Sequence, residues 1–222
     1  MDTPSVAVLS SLALKGVLEK FGPVFERALG ARLDLRFDAT QAILKTDLQA
    51  DLLVLTAEAM DELQRSGKVA HVRALGSSGI GVAVRAGAPK PDIGSVEALK
   101  RSLEAARSVA HSKVGASGIY FAQLLERQNI VLRKRIVVEK GPVGLVIASG
   151  EAEIGVQQLC ELAPVPGIAI VGPLPEAVQK ETRFSAGIPA SAANPQGALA
   201  LIDLLRSDVA RAGMLKGGIQ PA

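Results

Sequence analysis

The sequence of 222 residues is poor in aromatic residues and in cysteine. Aromatic residues make up 3% of the chain and tryptophan is absent, which argues against sites that hold bases or sugars by stacking them on aromatic rings. The single cysteine, Cys160, excludes an internal disulfide and a metal site built from several thiolates. Cys160 follows an apolar segment, so we expect it to be a small buried side chain.

Long apolar runs and long basic runs are also absent. No apolar stretch approaches the roughly 18 residues that a membrane-spanning helix needs, so no membrane insertion is expected. The net charge is +3, and the longest basic run is Arg133-Lys134-Arg135. This mild charge suits a small anionic ligand and does not favour nucleic acid as a partner. No group of residues has the spacing of metal ligands, so we predict neither a metal nor a cofactor.

The N-terminus bears on where the protein is located. Residues 1–5 have no basic segment followed by a long apolar segment, which is the pattern of a secretory signal peptide. We therefore expect a cytoplasmic protein if Met1 is the native start, and a periplasmic protein if a signal peptide has been removed.

Buried strands alternate with helices in the first part of the chain. Apolar segments at 6–9 and 50–56, and an alternating segment at 32–37, indicate strands. Residues with helical spacing follow each strand. Three strand–helix units with largely apolar strands predict a parallel sheet covered by helices on both faces.

Two segments rich in glycine and small apolar residues indicate crossings between two lobes. They lie near 76–84 and 183–188. We expect residues 1–78 with 185–222 to form one lobe and 82–182 to form the other. The hinges are then predicted near 79–81 and 183–184.

The segment 108–126 has the clearest functional pattern. It predicts a short strand that includes His111, a loop of small residues, and a helix with Ser117 at its N-cap. The free N–H groups of a helix N-terminus, together with the positive end of the helix dipole, attract anions. His111 and Lys113 add further donors. A strand–turn–helix connection that binds nothing explains this pattern equally well.

Several short motifs follow one another in a recognisable order. They are 50–56 (ADLLVLT), 81–85 (GVAVR), 115–120 (GASGIY), 150–155 (GEAEIG) and the tail at 213–221. Together they resemble the molybdate-binding type of ABC-importer solute-binding protein. The resemblance implies the class II periplasmic-binding-protein fold, with two three-layer α/β lobes joined by two crossover segments and a ligand in the cleft between them. It also implies a possible ABC-importer permease as partner, and we expect a monomer.

The resemblance further implies an oxyanion pocket made of hydroxyl groups and helix N-terminal N–H groups. This sequence departs from that pattern. Ala13-Leu14 stands where the family has a Ser-Leu pair, Thr40 is what remains of a run of serines, and Asp38 would repel an anion. Lys15 and His111 add cationic or donor groups. A buried dianion relies on many uncharged donors, so these changes favour a carboxylate-bearing ligand over molybdate.

Two functions fit this pattern. The first is a solute-binding protein that captures a small anion, either a molybdate-type oxyanion or, as these changes favour, an organic carboxylate. The second is an isomerase of a di- or tricarboxylic acid, because some relatives of this family resemble aconitate isomerase. Such an enzyme needs a base for proton transfer, and Lys15 and His111 are the candidates. The simpler interpretations are a solvated lysine and a strand-end histidine bonded to the backbone.

Both functions draw on the same candidate ligand-binding groups, which lie at strand ends and helix starts in both predicted lobes. Gln157 and Gln158 are included in this reasoning because their amides suit carboxylates, although a polar strand end explains them as well. The predicted ligand-binding residues are Ser10, Ser11, Lys15, Thr40, Ser112, Ser117, Gly118, Tyr120, Val143 and Gln157.

Overall fold

The computed structural model describes residues 4–222, which fold into two compact units. The first contains the residues up to Ser77 together with Thr182–Ala222, and the second is Ser78–Glu181. Each unit has its own sheet, one of six strands and one of five. A hinge is defined by movement, so the lobe boundaries and hinges proposed from the sequence stay a prediction.

Eleven strands and nine α-helices lie within residues 4–222. The strands are β1 (Ser5–Ser11), β2 (Arg32–Asp38), β3 (Leu52–Thr56), β4 (Val69–Ser78), β5 (Ile80–Arg85), β6 (Val109–Ser112), β7 (Arg135–Val138), β8 (Ile154–Gln158), β9 (Ile168–Pro173), β10 (Thr182–Pro189) and β11 (Gln220–Pro221). The helices are α1 (Lys15–Leu29), α2 (Thr40–Ile43), α3 (Ala57–Arg65), α4 (Val96–Ala105), α5 (Ala116–Arg127), α6 (Val143–Ala148), α7 (Leu159–Leu162), α8 (Pro195–Leu205) and α9 (Asp208–Lys216). No helix in this described part of the chain combines the length and apolar character needed to cross a membrane.

The sheet of the first unit has the strand order β11-β4-β10-β3-β1-β2. Strand β1 pairs in parallel with both β2 and β3, as the apolar strand pattern predicts. Strands β10 and β11 add antiparallel pairs to β3 and β4, so the sheet as a whole is mixed. The register sets Ser11 beside Asp38, which brings the carboxyl ends of β1 and β2 to the same edge.

The strands of the first unit differ in burial according to their position. Central strand β3 is buried along Leu52–Leu55, with no exposed surface on these residues, as expected for a strand covered on both faces. Helices α2 and α3 cover one face through Ile43 and Met60. Edge strand β2 instead has exposed charged residues at every second position. Charges on an edge strand hinder pairing with another chain.

The sheet of the second unit has the order β7-β6-β8-β5-β9. Strand β6 is parallel to β7 and β8, whereas β5 is antiparallel to β8 and β9. Apolar clusters lie on both faces, one around Leu99 and Phe121 and the other around Val143 and Ile147. Gly155 allows α6 to pack closely, because a Cβ there would lie 2.1 Å from Ile147 Cδ1. The unit therefore has helices on both sides of its sheet.

Gln179 fixes the second unit near the position where the chain leaves it. Its Oε1 accepts a hydrogen bond from the Ile80 N–H at 2.8 Å, and its Nε2 donates to the Ile80 carbonyl at 2.9 Å. The amide thus pairs with β5 as a neighbouring strand residue would. This contact ties the segment before β10 to the first residue of β5.

Asp51 fixes the first unit in a similar way. Its Oδ2 accepts from the Ala7 N–H at 2.8 Å, and its Oδ1 accepts from the Asn194 N–H at 2.7 Å. Asn194 then caps α8 by accepting from the Gly197 N–H, and it donates to the Ser5 carbonyl. One buried carboxylate therefore joins β1, the start of β3 and the start of α8.

We expect Asp51→Ala to lower the free energy of unfolding by about 2–4 kcal/mol, because two backbone N–H groups lose their acceptor and each costs about 1–3 kcal/mol when left unpaired. Urea denaturation measures this change. Asp34→Ala on the exposed face of β2 is the control and should change the free energy by less than about 0.5 kcal/mol. Equal effects of the two substitutions would contradict the role of Asp51.

Candidate functional site

The loop between β6 and α5 is held by Ser112. Its Oγ accepts a hydrogen bond from the Gly115 N–H at 3.0 Å. Gly115 is the N-cap of α5, and Ser117 is the second residue of the helix. The prediction that Ser117 is the N-cap is therefore wrong. The helix instead starts after Gly115, two residues before Ser117. The Ser112 side chain closes the turn by accepting from the Gly115 N–H, three residues ahead.

Gly118 allows the start of α5 to lie directly on the end of β6. A Cβ at this position would lie 1.9 Å from the Ser112 carbonyl oxygen, so any other residue would force the helix away from the strand. The first N–H groups of a helix have no partner within the helix. The N-terminus of α5 therefore has the features of an anion-binding helix start, and the anion site predicted there stays a prediction.

Both ring nitrogens of His111 have partners. Arg135 donates through Nε to His111 Nε2 at 2.7 Å, and His111 Nδ1 lies 2.8 Å from the Ser112 carbonyl oxygen. A guanidinium can only donate, so Nε2 is the acceptor and Nδ1 bears the proton that it gives to Ser112. The ring also packs edge-on against Phe121. His111 therefore supports the turn at Ser112 as a neutral imidazole.

The environment of His111 keeps it uncharged. Burial lowers the pKa of this histidine, the positive charge of Arg135 lowers it further, and the hydrogen bond to the Ser112 carbonyl opposes both effects. To accept a proton from a ligand, Nε2 would first have to lose Arg135. The geometry favours the interpretation as a strand-end histidine bonded to the backbone.

Tyr120 is engaged in contacts within the second unit. Its hydroxyl donates to the Val178 carbonyl at 3.0 Å. The guanidinium of Arg127 and the ammonium of Lys180 lie 4.9 and 5.5 Å from the centre of its ring. Tyr120 thus links α5 to the short helix Glu176–Val178.

Val143 and Gln157, both predicted as ligand-binding residues, lie together and bind each other. The Val143 N–H, at the start of α6, donates to Gln157 Oε1 at 2.8 Å. Gln157 Nε2 in turn donates to Glu161 Oε2 in a short hydrogen bond. The buried amide of Gln157 therefore already has a partner at each end.

Glu161 is a residue that the sequence reasoning missed. Burial raises its pKa to about 7, although the hydrogen bond from Gln157 acts in the opposite direction. A carboxyl group with this pKa is partly protonated at neutral pH. Nothing in the segment 156–161 (VQQLCE) singles out this glutamate, because its environment depends on how α7 packs against the end of β8.

Two buried polar atoms have no hydrogen-bond partner within the described residues. They are Ser11 Oγ in the first unit and Gln158 Nε2 in the second. Each belongs to the last residue of a parallel-paired strand, β1 or β8. Buried polar groups are almost always paired, so an unpaired one needs an explanation. A ligand with acceptor atoms is one explanation.

The remaining predicted residues of the first unit lie around the end of β1. Ser10 Oγ donates to the Ser11 carbonyl at 2.9 Å. Lys15 begins α1, with its Nζ 3.7 Å from Glu19 and 5.8 Å from the centre of the Phe37 ring. Thr40 begins α2.

Asp38 weakens the second predicted turn of the first unit. Its Oδ1 accepts from the Ala39 N–H at 2.7 Å. That N–H group precedes α2, so the carboxylate occupies a donor that a bound anion would otherwise use. Ser11 Oγ is the buried donor of the first unit that has no partner within the described residues.

The sequence profile of the bacterial extracellular solute-binding proteins matches residues 6–220. The chain belongs to this family. It is 38% identical over 231 residues to the aconitate isomerase of Pseudomonas sp., an alignment that covers 98% of this chain and 88% of that protein. The sequence-based resemblance to molybdate-type solute-binding proteins, with relatives similar to aconitate isomerase, is confirmed.

Solved structures of similar fold support the same assignment. The periplasmic molybdate-binding protein of Azotobacter vinelandii superposes with a TM-score of 0.77 at 17% identity, over 96% of this chain and 98% of that chain. The sulfate-binding protein SubI of Mycobacterium tuberculosis H37Rv superposes with a TM-score of 0.72 at 17% identity, over 99% and 87%. At this identity the likeness shows the fold, and the predicted periplasmic-binding-protein class is confirmed.

The donors of this solute-binding protein are backbone N–H groups, hydroxyls and amides. Among residues 4–222, no three histidine, cysteine, aspartate or glutamate side chains are grouped so that they could hold a metal ion. Cys160 is buried, and burial raises the pKa of its thiol to about 12, so it remains a protonated, unreactive group.

We expect the neutral state of His111 to make stability depend on pH. Between its lowered folded pKa and its ordinary value of 6.5, the unfolded chain binds more protons than the folded one. The free energy of unfolding should then fall as pH falls below about 6.5, by at most about 1.4 kcal/mol per pH unit for one proton. Urea denaturation from pH 7.5 to 5.5 measures this fall, and His111→Gln should reduce it.

Two further groups set the controls for this measurement. Glu161, with its raised pKa, acts in the opposite direction, because the folded state holds its proton more tightly. That effect is present in parent and variant alike and cancels when the two are compared. His71 is exposed, so His71→Gln serves as the surface control for a histidine-to-glutamine substitution. A pH dependence that is unchanged in His111→Gln would refute the neutral, buried assignment.

Proposed function

We propose that this solute-binding protein binds a small organic acid with several carboxylates. The observation that carries the proposal is that each unit has a buried, unpaired donor at a strand end, Ser11 Oγ in the first unit and Gln158 Nε2 in the second. A hydroxyl and an amide NH₂ both complement carboxylate oxygens, which accept hydrogen bonds. The N-terminus of α5 adds backbone N–H donors and the positive end of a helix dipole.

The alternative ligands are tetrahedral oxyanions. The neighbours of similar fold are named as molybdate-binding and sulfate-binding proteins, but their low identity supports the fold and not the ligand. The relative of 38% identity is named for aconitate, a tricarboxylic acid. The loss of serines at the first two turns, with Lys15 added, also favours carboxylates. For the binding function, we propose an ABC-importer permease as the partner that takes up the ligand.

A thermal-shift screen tests this proposal. The panel contains molybdate, tungstate, sulfate, phosphate, and di- and tricarboxylates that include cis- and trans-aconitate. We expect a carboxylic acid to raise the melting temperature most, because a ligand at 100 times its Kd stabilises the folded state by about 2.7 kcal/mol. Stabilisation by molybdate or tungstate alone would contradict the proposal.

The unpaired donors are tested by Ser11→Ala and Gln158→Met. Each removes a donor that has no partner within the described residues, so the ligand-free protein should be as stable as the parent or slightly more stable. Affinity for the acid found in the screen should fall about 10-fold, the equivalent of one hydrogen bond to a charged group. Ser10→Ala is the matched control, because its hydroxyl already donates to the Ser11 carbonyl. If both variants bind as the parent does, these donors do not form the site.

A second candidate function is an isomerase that moves the double bond of a tricarboxylic acid. The identity to aconitate isomerase extends over 98% of this chain, which favours a shared reaction as well as a shared fold. The reaction is a proton transfer between two carbon atoms, so it needs a group that removes a proton and returns it. Positive charge or N–H donors stabilise the negative charge that develops on the carboxylate.

Exchange with heavy water distinguishes the two functions. An isomerase should interconvert cis- and trans-aconitate, and it incorporates deuterium when the protonated base exchanges with the solvent before returning a proton to carbon. Proton NMR measures this loss of signal together with interconversion of the two acids. A protein that binds an acid but catalyses neither exchange nor interconversion is a binding protein without this chemistry.

A further inference from the structure

Two adjacent glutamines at the end of β8 differ in their hydrogen bonding. Gln158 Nε2 is buried and has no partner among residues 4–222, whereas the amide of Gln157 is bonded at both ends. The residues that hold Gln157 are Val143, at the N-terminus of α6, and Glu161, in α7. This cluster therefore places a carboxyl group at the end of β8, on the face of the sheet to which Gln157 points.

One oxygen of the Glu161 carboxyl group accepts a hydrogen bond. Its Oε2 accepts from Gln157 Nε2. Within the described residues, Oε1 has no hydrogen-bond partner, and no cation neutralises the group. Gln157 cannot rotate freely to release Oε2, because its own Oε1 is bonded to the Val143 N–H at 2.8 Å. The carboxyl group is thus fixed in position while one oxygen is left for another partner.

We propose that Glu161 is the catalytic residue that carries the proton between the two carbon atoms of the substrate. This inference rests on the proposed isomerase function. Its support is the place of Glu161 beside the end of β8 and the fixed orientation that Gln157 imposes on its carboxyl group. Ligands of open α/β sheets bind at the carboxyl ends of strands, and β8 ends here.

The proposed step balances without any further reactant. The ionised carboxylate of Glu161 removes a proton from the methylene carbon of the acid, and the C–H electron pair forms a new double bond to the central carbon. The electrons of the former double bond move to the outer carbon, which takes the proton from the Glu161 carboxyl group. One C–H bond breaks, one forms, and the double bond moves by one position.

The acidity of Glu161 suits this step. Burial raises its pKa to about 7, so both the ionised and the protonated forms are present at neutral pH. A group that accepts a proton and then returns it works best when its pKa is near the working pH. An ordinary glutamate, with a pKa near 4.5, would be a weaker base.

The two candidates predicted from the sequence are less suitable. His111 has both ring nitrogens engaged by Arg135 and the Ser112 carbonyl, so it must break a hydrogen bond before it can act. Lys15 pairs with Glu19 and has a side chain that is 47% exposed. Both fit structural or charge-balancing roles, which leaves Glu161 as the candidate acid–base group.

Glu161→Gln tests the assignment with little change of shape. The new amide oxygen can still accept from Gln157 Nε2, but the side chain cannot transfer a proton. We expect the variant to bind trans-aconitate within about threefold of the parent, as measured by calorimetry. Deuterium incorporation and interconversion of cis- and trans-aconitate should fall by at least about 100-fold, the lower end of the effect of a general acid–base group.

The matched control is Glu151→Gln. Glu151 is exposed, precedes β8 and accepts from Ser149 Oγ, so the substitution makes the same change of charge in the same segment. Exchange and binding in this variant should match the parent. A loss of exchange in Glu151→Gln equal to that in Glu161→Gln would overturn the assignment to Glu161.

The other outcomes separate this inference from the function on which it rests. A parent protein that neither interconverts cis- and trans-aconitate nor exchanges deuterium into either acid overturns the isomerase function and the role of Glu161 together. Parent exchange that persists in Glu161→Gln overturns the role of Glu161 alone, as does a variant that loses binding along with exchange. If Glu161→Gln does not fold, Glu161→Asp decides: binding retained with exchange lowered about 10-fold or more supports the inference, and exchange at the parent level overturns it.

Discussion

The close approach of α5 to the end of β6 is the constraint on which the turn between them depends. A Cβ at Gly118 would lie 1.9 Å from the Ser112 carbonyl oxygen, so the helix start and the strand end share one fixed position. The same carbonyl accepts from His111, whose other nitrogen accepts from Arg135. The contacts therefore connect two strands and a helix, from Arg135 in β7 through the end of β6 to the start of α5. They set the direction in which the first N–H groups of α5 point.

The unpaired donors lower the stability of the ligand-free protein, and they are the donors that a ligand with acceptor atoms would use. A buried donor without an acceptor costs about 1–3 kcal/mol, and this protein has two such atoms, Ser11 Oγ and Gln158 Nε2. Asp51 and Gln179, by contrast, use both ends of their side chains within the fold. Paired polar groups hold each unit together, whereas the unpaired ones lie at strand ends, where ligands of α/β sheets bind.

The sequence predicts much of the fold, whereas the contacts of the candidate site residues depend on packing between distant parts of the chain. Strand order near the N-terminus follows from apolar runs, and the turn at Gly115–Gly118 follows from small residues, because both are properties of neighbours along the chain. The N-cap role of Ser117 was wrong since Ser112 reaches the Gly115 N–H first. The bond between Val143 and Gln157 joins residues 14 positions apart, which no local pattern reveals.

The environments of His111 and Glu161 decide which of them suits proton transfer. Burial disfavours the charged form of both side chains. Because histidine is charged when protonated and glutamate when deprotonated, burial lowers the pKa of His111 and raises the pKa of Glu161. Arg135 adds to the effect on His111 and also occupies its accepting nitrogen. Gln157 opposes the effect on Glu161 only in part, and it leaves one carboxyl oxygen without a partner in residues 4–222. Histidine is the usual acid–base group at neutral pH, yet in this fold the same burial moves the histidine away from that role and the glutamate toward it.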